Sequence, residues 1–263
     1  MIRNSLFSLG LNATTLTSQT KAADILDLIK TLWPQDCGKD LIRIGAKGDG
    51  GYLIPDDLEG IEYCFSPGVG ALSEFENQMA DRQIKCFLAD YSVDSPPILR
   101  PEFTFDKKYL GSSDSGRYFA LATWKDKYLK DYNGDLILQM DIEDAEYTVL
   151  LSTPVHLLKQ FRIIVVEFHG LNRLFDRFDF LLISSCFQRL LEHFHVCHMH
   201  PNNVTGSIRR GRIEIPRVLE ITFLNKKRVS VTTPKTSFPH ELDVDTVGTR
   251  PPLNLPKCWY SEV

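Results

Sequence analysis

The chain has six cysteines but no C-x-x-C pair, no long apolar run and no excess of one charge. Each lack removes a class of function. Cysteines without ligand spacing predict neither a zinc ribbon nor a disulfide scaffold. The longest apolar runs, such as Ile163 to Val166 and Phe180 to Ile183, fall far below the roughly 20 residues that span a bilayer, so no transmembrane helix is expected. The net charge of -4, from 30 basic and 34 acidic side chains, gives nothing to draw the chain to nucleic acid or an anionic membrane. The loop G-x-x-x-x-G-K-[ST] is missing, which excludes an ATPase or GTPase of that type. No apolar signal core follows Met1-Ile2-Arg3, and the reading is a soluble, cytoplasmic protein.

What is present suffices for one globular domain: 263 residues, 43% apolar and 24% charged. Residues 1–40 read as an N-terminal helical extension. They are polar at first, including the mixed stretch Ser5 to Gly10. Ala22, Ala23, Ile25, Leu26, Ile29, Leu32 and Trp33 then follow at helical spacing up to Pro34. Residues 41–263 alternate short apolar runs with helical stretches, the pattern of βαβ units and a doubly wound α/β sheet. Strands are expected over 63–66, 85–90, 102–105, 136–141, 162–167, 195–200 and 217–224. Helices are expected over 74–82, 118–132, 145–151 and 177–194. Only 201–216, without helical period, separates the last two strands, which predicts an antiparallel hairpin at the sheet edge. From about residue 225 the tail carries Pro234, Pro239, Pro251, Pro252 and Pro256 and reads as irregular.

The first strand of this pattern runs into Ser66-Pro67-Gly68-Val69-Gly70, then into a helix opened by Ser73 with Glu76 three residues on, a capping-box pair. Strand, glycine turn and helix N-terminus are the parts of an adenosine site, with Gly68, Val69 and Gly70 passing beneath the ligand. Asp90, twenty residues beyond Gly70, is placed to accept the ribose hydroxyls. Ser73 stands where a dinucleotide fingerprint needs Gly or Ala, which favours a cofactor without phosphates, and S-adenosylmethionine has none. The loop Arg43 to Tyr52 reads equally as a tight hairpin or as a flap that brings Gly50 and Tyr52 over the ligand.

Asp141 ends an apolar strand at the carboxyl edge where open α/β sheets bind ligands and is expected to be a seventh cofactor-binding residue, whereas Glu143, Asp144 and Glu146 after it fit an ordinary helix N-terminus. Glu167 and His169 end the next strand on one side, and His198 and His200 end the edge strand, followed by Pro201-Asn202-Asn203. Imidazole and carboxylate at neighbouring strand ends suit general base work by His200, His169 or Glu167. They suit equally a divalent cation, Mg²⁺ or Mn²⁺, held by Asp141, Glu167 and His169. His200 is expected to face the acceptor, with Asn202 and Asn203 hydrogen-bonding it. His193, His195 and His198 read as core or surface residues. Arg209-Arg210-Gly211-Arg212 reads as a hairpin tip.

Taken together, Asp49-Gly-Gly-Tyr52, Phe65-Ser-Pro-Gly-Val-Gly70 with Ser73-Glu-Phe-Glu76, Asp141-Ile-Glu-Asp-Ala-Glu146, Val166-Glu-Phe-His169, His200-Pro-Asn-Asn203 and Pro216 to Phe223 resemble the FkbM-type S-adenosylmethionine-dependent methyltransferases. The resemblance covers about residues 43–224. It implies a Rossmann-like, mostly parallel sheet with a reversed last strand, and methyl transfer to a hydroxyl of a sugar, glycan or small metabolite. Two positions depart from the family pattern: Ser66 where an acidic residue is common, and Asp144 in place of a glycine. Two other classes use parts of the same pattern, a metal-dependent glycosyltransferase with an Asp141-x-Glu143 clamp and a non-catalytic nucleotide-binding module. The oligomeric state is left open.

Overall fold

The computed structural model describes residues 18–263; Ser5 to Gly10 and the rest of the polar lead lie outside the described residues. Helix α1 (Ala22–Thr31) buries Ile25, Leu28 and Ile29 along one face. After the short strand β1 (Gln35–Asp36), β2 (Leu41–Gly45) and β3 (Gly51–Pro55) pair as a hairpin. The first half of the sheet follows as β4 (Tyr63–Pro67), α2 (Glu74–Asp81), β5 (Lys85–Ala89) and β6 (Phe103–Asp106). Two three-residue strands, β7 (Tyr109–Gly111) and β8 (Tyr118–Ala120), pair with each other beyond the main sheet and lead into α3 (Leu121–Leu129). Strand β9 (Leu136–Met140), helices α4 (Glu146–Ser152) and α5 (Val155–Leu158), strand β10 (Phe161–Phe168) and helix α6 (Arg177–Leu191) continue the alternation.

The chain then becomes antiparallel. Strand β11 (Phe194–Pro201) is followed by a small hairpin of β12 (Ser207–Arg210) and β13 (Ile213–Pro216), then by β14 (Leu219–Asn225). Strand β15 (Thr233–Pro234) pairs back onto β1. The main sheet runs β6-β5-β4-β9-β10-β14-β11, which in chain order is 3-2-1-4-5-7-6. Only β14 is reversed, antiparallel to both β10 and β11. The fold is therefore the expected Rossmann-like, mostly parallel sheet, with one refinement. The last two strands do pair antiparallel, but β14 inserts inside β11, and the connection between them forms its own hairpin. Arg210 stacks on Phe175 there, 4.4 Å from the ring centre, and Gly211 and Arg212 form the tip.

Strands β9 and β10 are buried along their whole length, as apolar runs covered on both faces must be. Alternation divides the core in two. Leu136, Leu138 and Met140 face one layer, which contains α1, α3, α4 and α6, and Ile137 faces the other. The second layer is helix α2 together with the β2–β3 hairpin, whose Ile44, Tyr52 and Ile54 do the covering that a further helix would do. Thr222 Oγ1 on β14 donates to Leu53 O at 2.7 Å and ties this hairpin to the sheet. Helix α1 shares the core of the main body, and Leu255, Cys258 and Trp259 of the tail are buried in the same layer. All six cysteines are free and buried, and no described helix is long and apolar enough to cross a membrane.

Candidate active site

Neighbouring strands β4 and β9 send their connections to different parts of the sheet, so the strand order switches between them; open α/β sheets bind ligands at such points. A cavity of about 810 Å³ opens there. The turn after β4 supplies Gly68, Val69 and Gly70, the end of β5 supplies Asp90, and the end of β9 supplies Asp141. The β2–β3 hairpin brings in Asp49, Gly50 and Tyr52, and Tyr109 and Tyr118 form another part of the wall. The loop from Arg43 to Tyr52 is thus a tight hairpin whose tip reaches the cavity. All seven residues expected around a cofactor lie on this one cavity.

The glycine turn is built by close approach. Gly68 has φ +87°, and a Cβ there would lie 1.5 Å from the carbonyl oxygen of Asp141. Gly70 (φ +49°) meets nothing within 4 Å. Its N–H donates to Asp90 Oδ2 at 2.9 Å, while Asp90 Oδ1 accepts from Ser92 N (2.7 Å) and Oγ (2.6 Å). Asp90 therefore pins the turn and, with about four acceptor positions on a carboxylate, keeps roughly one for a ligand hydroxyl.

The expected capping box does not form. The Ser73 N–H donates to Glu74 Oε2 at 3.1 Å, and Ser73 Oγ accepts from Ile98 N at 3.2 Å. Glu76 turns inward instead, where Ser66 Oγ donates to it and also contacts Gln139 Oε1. Gln139 Nε2 reaches Tyr52 OH at 3.4 Å. Helix α2 thus places a carboxyl beside Ser66 at the end of β4. Burial, opposed by the Ser66 bond, pushes the Glu76 carboxyl up to about 7. Six carboxyl groups line the cavity (Asp49, Glu74, Glu76, Asp90, Asp141 and Glu143), and among the described residues no Lys, Arg or His does.

Beside Asp141 the sheet ends collect more charge. His169 Nδ1 is 3.1 Å from Glu146 Oε1, and its Nε2 is 3.5 Å from Glu143, 3.8 Å from Asp141 and 4.0 Å from Glu167. Burial works against a charged His169, but the Glu146 bond and the surrounding carboxylates outweigh it and raise the ring to about 9. Burial, then the Glu167 charge, raises Asp141 to about 8. Glu143 (φ +53°) and Asp144 (φ +80°) hold left-handed backbone, the region that favours glycine. Of the expected trio, Asp141 and Glu167 both flank His169, but the group whose ligand atoms all lie within 4.8 Å of one another is Asp141, Glu143 and His169; Glu143, expected only in the Asp141-x-Glu143 clamp or at a helix N-terminus, stands there in place of Glu167.

His200 stands apart from this group. It shares a row with Glu220 and Glu167 across β11, β14 and β10, but its Nδ1 faces Asp243 Oδ1 of the tail at 3.6 Å, and the ring is buried outside the cavity lining. Asn202 and Asn203 are also engaged internally. Asn202 Nδ2 donates to Glu167 Oε1 at 2.8 Å, and the Asn203 amide donates to Val247 O and accepts from Val247 N, each at 3.0 Å. His198 is a core residue, its Nε2 2.8 Å from Asp243 Oδ1.

No protein-family model matches this chain, and no curated protein is similar to it in sequence. Among solved structures it is similar to an Escherichia coli prophage protein described as a DNA modification methyltransferase, at TM-score 0.41 and 10% identity. That match covers 70% of this chain and 52% of the other, so the chain spans about half its length. It is also similar to a 16S rRNA (adenine(1408)-N(1))-methyltransferase variant from Catenulisporales acidiphilia, at TM-score 0.30 and 9% identity, covering 74% of this chain and 100% of that one. At such TM-scores neither bears on what this chain acts on.

Proposed function

We propose that this protein is an S-adenosylmethionine-dependent methyltransferase that acts on a hydroxyl of a sugar, glycan or small metabolite, as its resemblance to the FkbM type implies. The observation that carries the reading is the charge of the cavity. Six carboxyl groups line it without one basic side chain among the described residues; even with Glu76 and Asp141 raised toward the neutral form, the others leave a lining that disfavours a phosphate-bearing ligand such as NAD or a nucleotide sugar and favours a sulfonium and an ammonium. Gly68, Val69 and Gly70 lie under the nucleoside, Asp90 takes a ribose hydroxyl, and Gly50 and Tyr52 close over it.

The acceptor enters beside Asp141 and Glu143, next to His169 and Glu167. A hydroxyl is a weak nucleophile at neutral pH, so transfer gains when a neighbouring group takes its proton as the carbon–oxygen bond forms. Of the residues expected to act as bases, Glu167 and His169 adjoin the cavity wall at Asp141, and His200 is given a supporting place under the tail. A divalent cation is a second reading, favoured because one ligand atom from each of Asp141, Glu143 and His169 lies within 4.8 Å of the others. It would acidify the acceptor hydroxyl. Full activity after exhaustive chelation rejects the metal.

The test of the reading is calorimetry with S-adenosylhomocysteine, NAD and a nucleotide-diphosphate sugar, followed by transfer of labelled methyl into a panel of sugars, glycans and small metabolites. Binding of S-adenosylhomocysteine alone is expected. Binding of a phosphate-bearing ligand in its place would overturn the assignment.

A further inference from the structure

Glu146 opens helix α4 and looks like an acid placed to favour a helix N-terminus, a role that needs only proximity to free amides and is served from solvent. This side chain is fully buried, and one of its oxygens, Oε2, has no hydrogen-bond partner among the described residues. Burying a carboxylate is costly, and a helix-end role gives no return for it. The other oxygen explains the burial. Oε1 takes the Ile142 N–H at 3.2 Å and lies 3.1 Å from His169 Nδ1. The next residue pins the same histidine from its backbone, since Tyr147 OH donates to His169 O at 2.8 Å. Two consecutive residues thus fix the ring and the main chain of His169.

We propose that Glu146 is a positioning residue that accepts the Nδ1 proton of His169 and so turns Nε2 to the rim of the cavity, toward Asp141, Glu143 and Glu167. A carboxylate accepts and cannot donate, so this contact sets which ring nitrogen carries the fixed proton. In the neutral ring the free nitrogen is then the one at the reacting end, whether it takes a proton from the acceptor or binds a cation. The same arrangement, a buried carboxylate behind a working imidazole, holds ligating histidines in register elsewhere, where its loss costs about 10–100-fold.

The inference rests on the proposed methyl transfer only for its kinetic arm. The first measurement needs neither cofactor nor variant: nitrogen-15 histidine spectra of the intact protein, recorded above the titration of the ring. A proton on His169 Nδ1 is expected, and a bare Nδ1 with protonated Nε2 overturns the proposal. Glu146→Gln keeps an acceptor oxygen for both Ile142 N–H and Nδ1–H, so it should retain this tautomer, whereas Glu146→Ala should lose it. On the acceptor found by the methyl-transfer panel, kcat should fall about 10–100-fold in Glu146→Ala and less in Glu146→Gln. S-adenosylhomocysteine affinity should stay within twofold in both. If Glu146→Ala keeps the parental tautomer and kcat, or if Glu146→Gln loses cofactor affinity as much as turnover, the residue is a structural helix-end acid and the proposal fails. Should Glu146→Ala not fold, the spectrum of the intact protein and the Glu146→Gln split between kcat and affinity still decide. If S-adenosylhomocysteine does not bind the parent protein at all, the functional reading fails while the tautomer measurement stands.

Discussion

Replacing Gly68 by Ala tests whether the meeting of two strand ends builds the cavity. The new Cβ would lie 1.5 Å from Asp141 O and 2.6 Å from its carbonyl carbon, roughly 2 Å inside van der Waals contact. Backbone cannot swing aside as a side chain can, so β4 and β9 must part. Separation strains the Asp141 N to Pro67 O bond (3.3 Å) between them, and the shift of Gly68 strains its own bond to Ala89 O on β5 (2.8 Å), each worth about 1 kcal/mol. The left-handed backbone at φ +87° adds about 1–2 kcal/mol for any residue with a Cβ. The expected loss is about 3–4 kcal/mol in urea unfolding, or roughly 6–16 °C in Tm for a chain of this size. Gly70→Ala is the control, because its φ is also positive but its Cβ meets nothing, so only about 1–2 kcal/mol should go. S-adenosylhomocysteine affinity, measured by calorimetry on the folded fraction, should fall more in Gly68→Ala than in Gly70→Ala. Equal losses in the two variants would refute the reasoning, since strain alone would then account for both.

Asp90→Ala removes the acceptor of Gly70 N–H as well as a ribose contact, so cofactor affinity in calorimetry should drop about tenfold or more. Glu76 is held near 7, above the ordinary carboxyl value, so the folded protein keeps a proton that the unfolded chain sheds. Its contribution to stability is therefore full at low pH and declines as pH rises from about 4.5 to 7, and Glu76→Gln should flatten that slope in urea titrations at several pH values. Asp243 behaves oppositely: burial opposes its ionisation, but the bonds with His198 and His200 prevail and hold its carboxyl well below the usual range. Its stabilisation is present above about pH 4 and lost as pH falls further, and Asp243→Asn should cost about 3 kcal/mol at neutral pH and weaken the acid dependence of the melting curve.

The strands could be read from the sequence because β9 and β10 are apolar on both faces and are bounded by turn residues. Gly68, Gly70, Asp90 and Asp141 were legible for a related reason: the end of a buried strand leaves few places for a glycine or an acid except the edge. Side chains whose role depends on what lies opposite were not. Glu76 matches the capping-box spacing, yet its inward face follows from Met79 and Ala80, buried beside it on α2. Glu146 reads as a helix-end acid until His169 arrives from 23 residues away. His200 and Asn203 look free in sequence because their partners, Asp243 and Val247, lie in a proline-rich tail with no period to read, and Asn202 because its partner Glu167 lies 35 residues back on β10. The β7–β8 pair was missed because three-residue strands leave no alternation, and Tyr118 was assigned to the helix that starts at Leu121.

The way α1 is seated sets a timetable for synthesis. Trp33 Nε1 donates to the carbonyl of Cys258 at 2.9 Å, across 225 positions of chain, and Trp259 is fully buried in the layer that covers α1. At about 5–20 residues per second the ribosome needs roughly 10–45 s to make the second partner after the first. Throughout that interval Ile25, Leu28 and Ile29 lack part of their cover. Slowed translation of residues 225–258 should therefore increase the share of newly made chain that pellets as aggregate, while the melting temperature of the finished, purified protein stays the same.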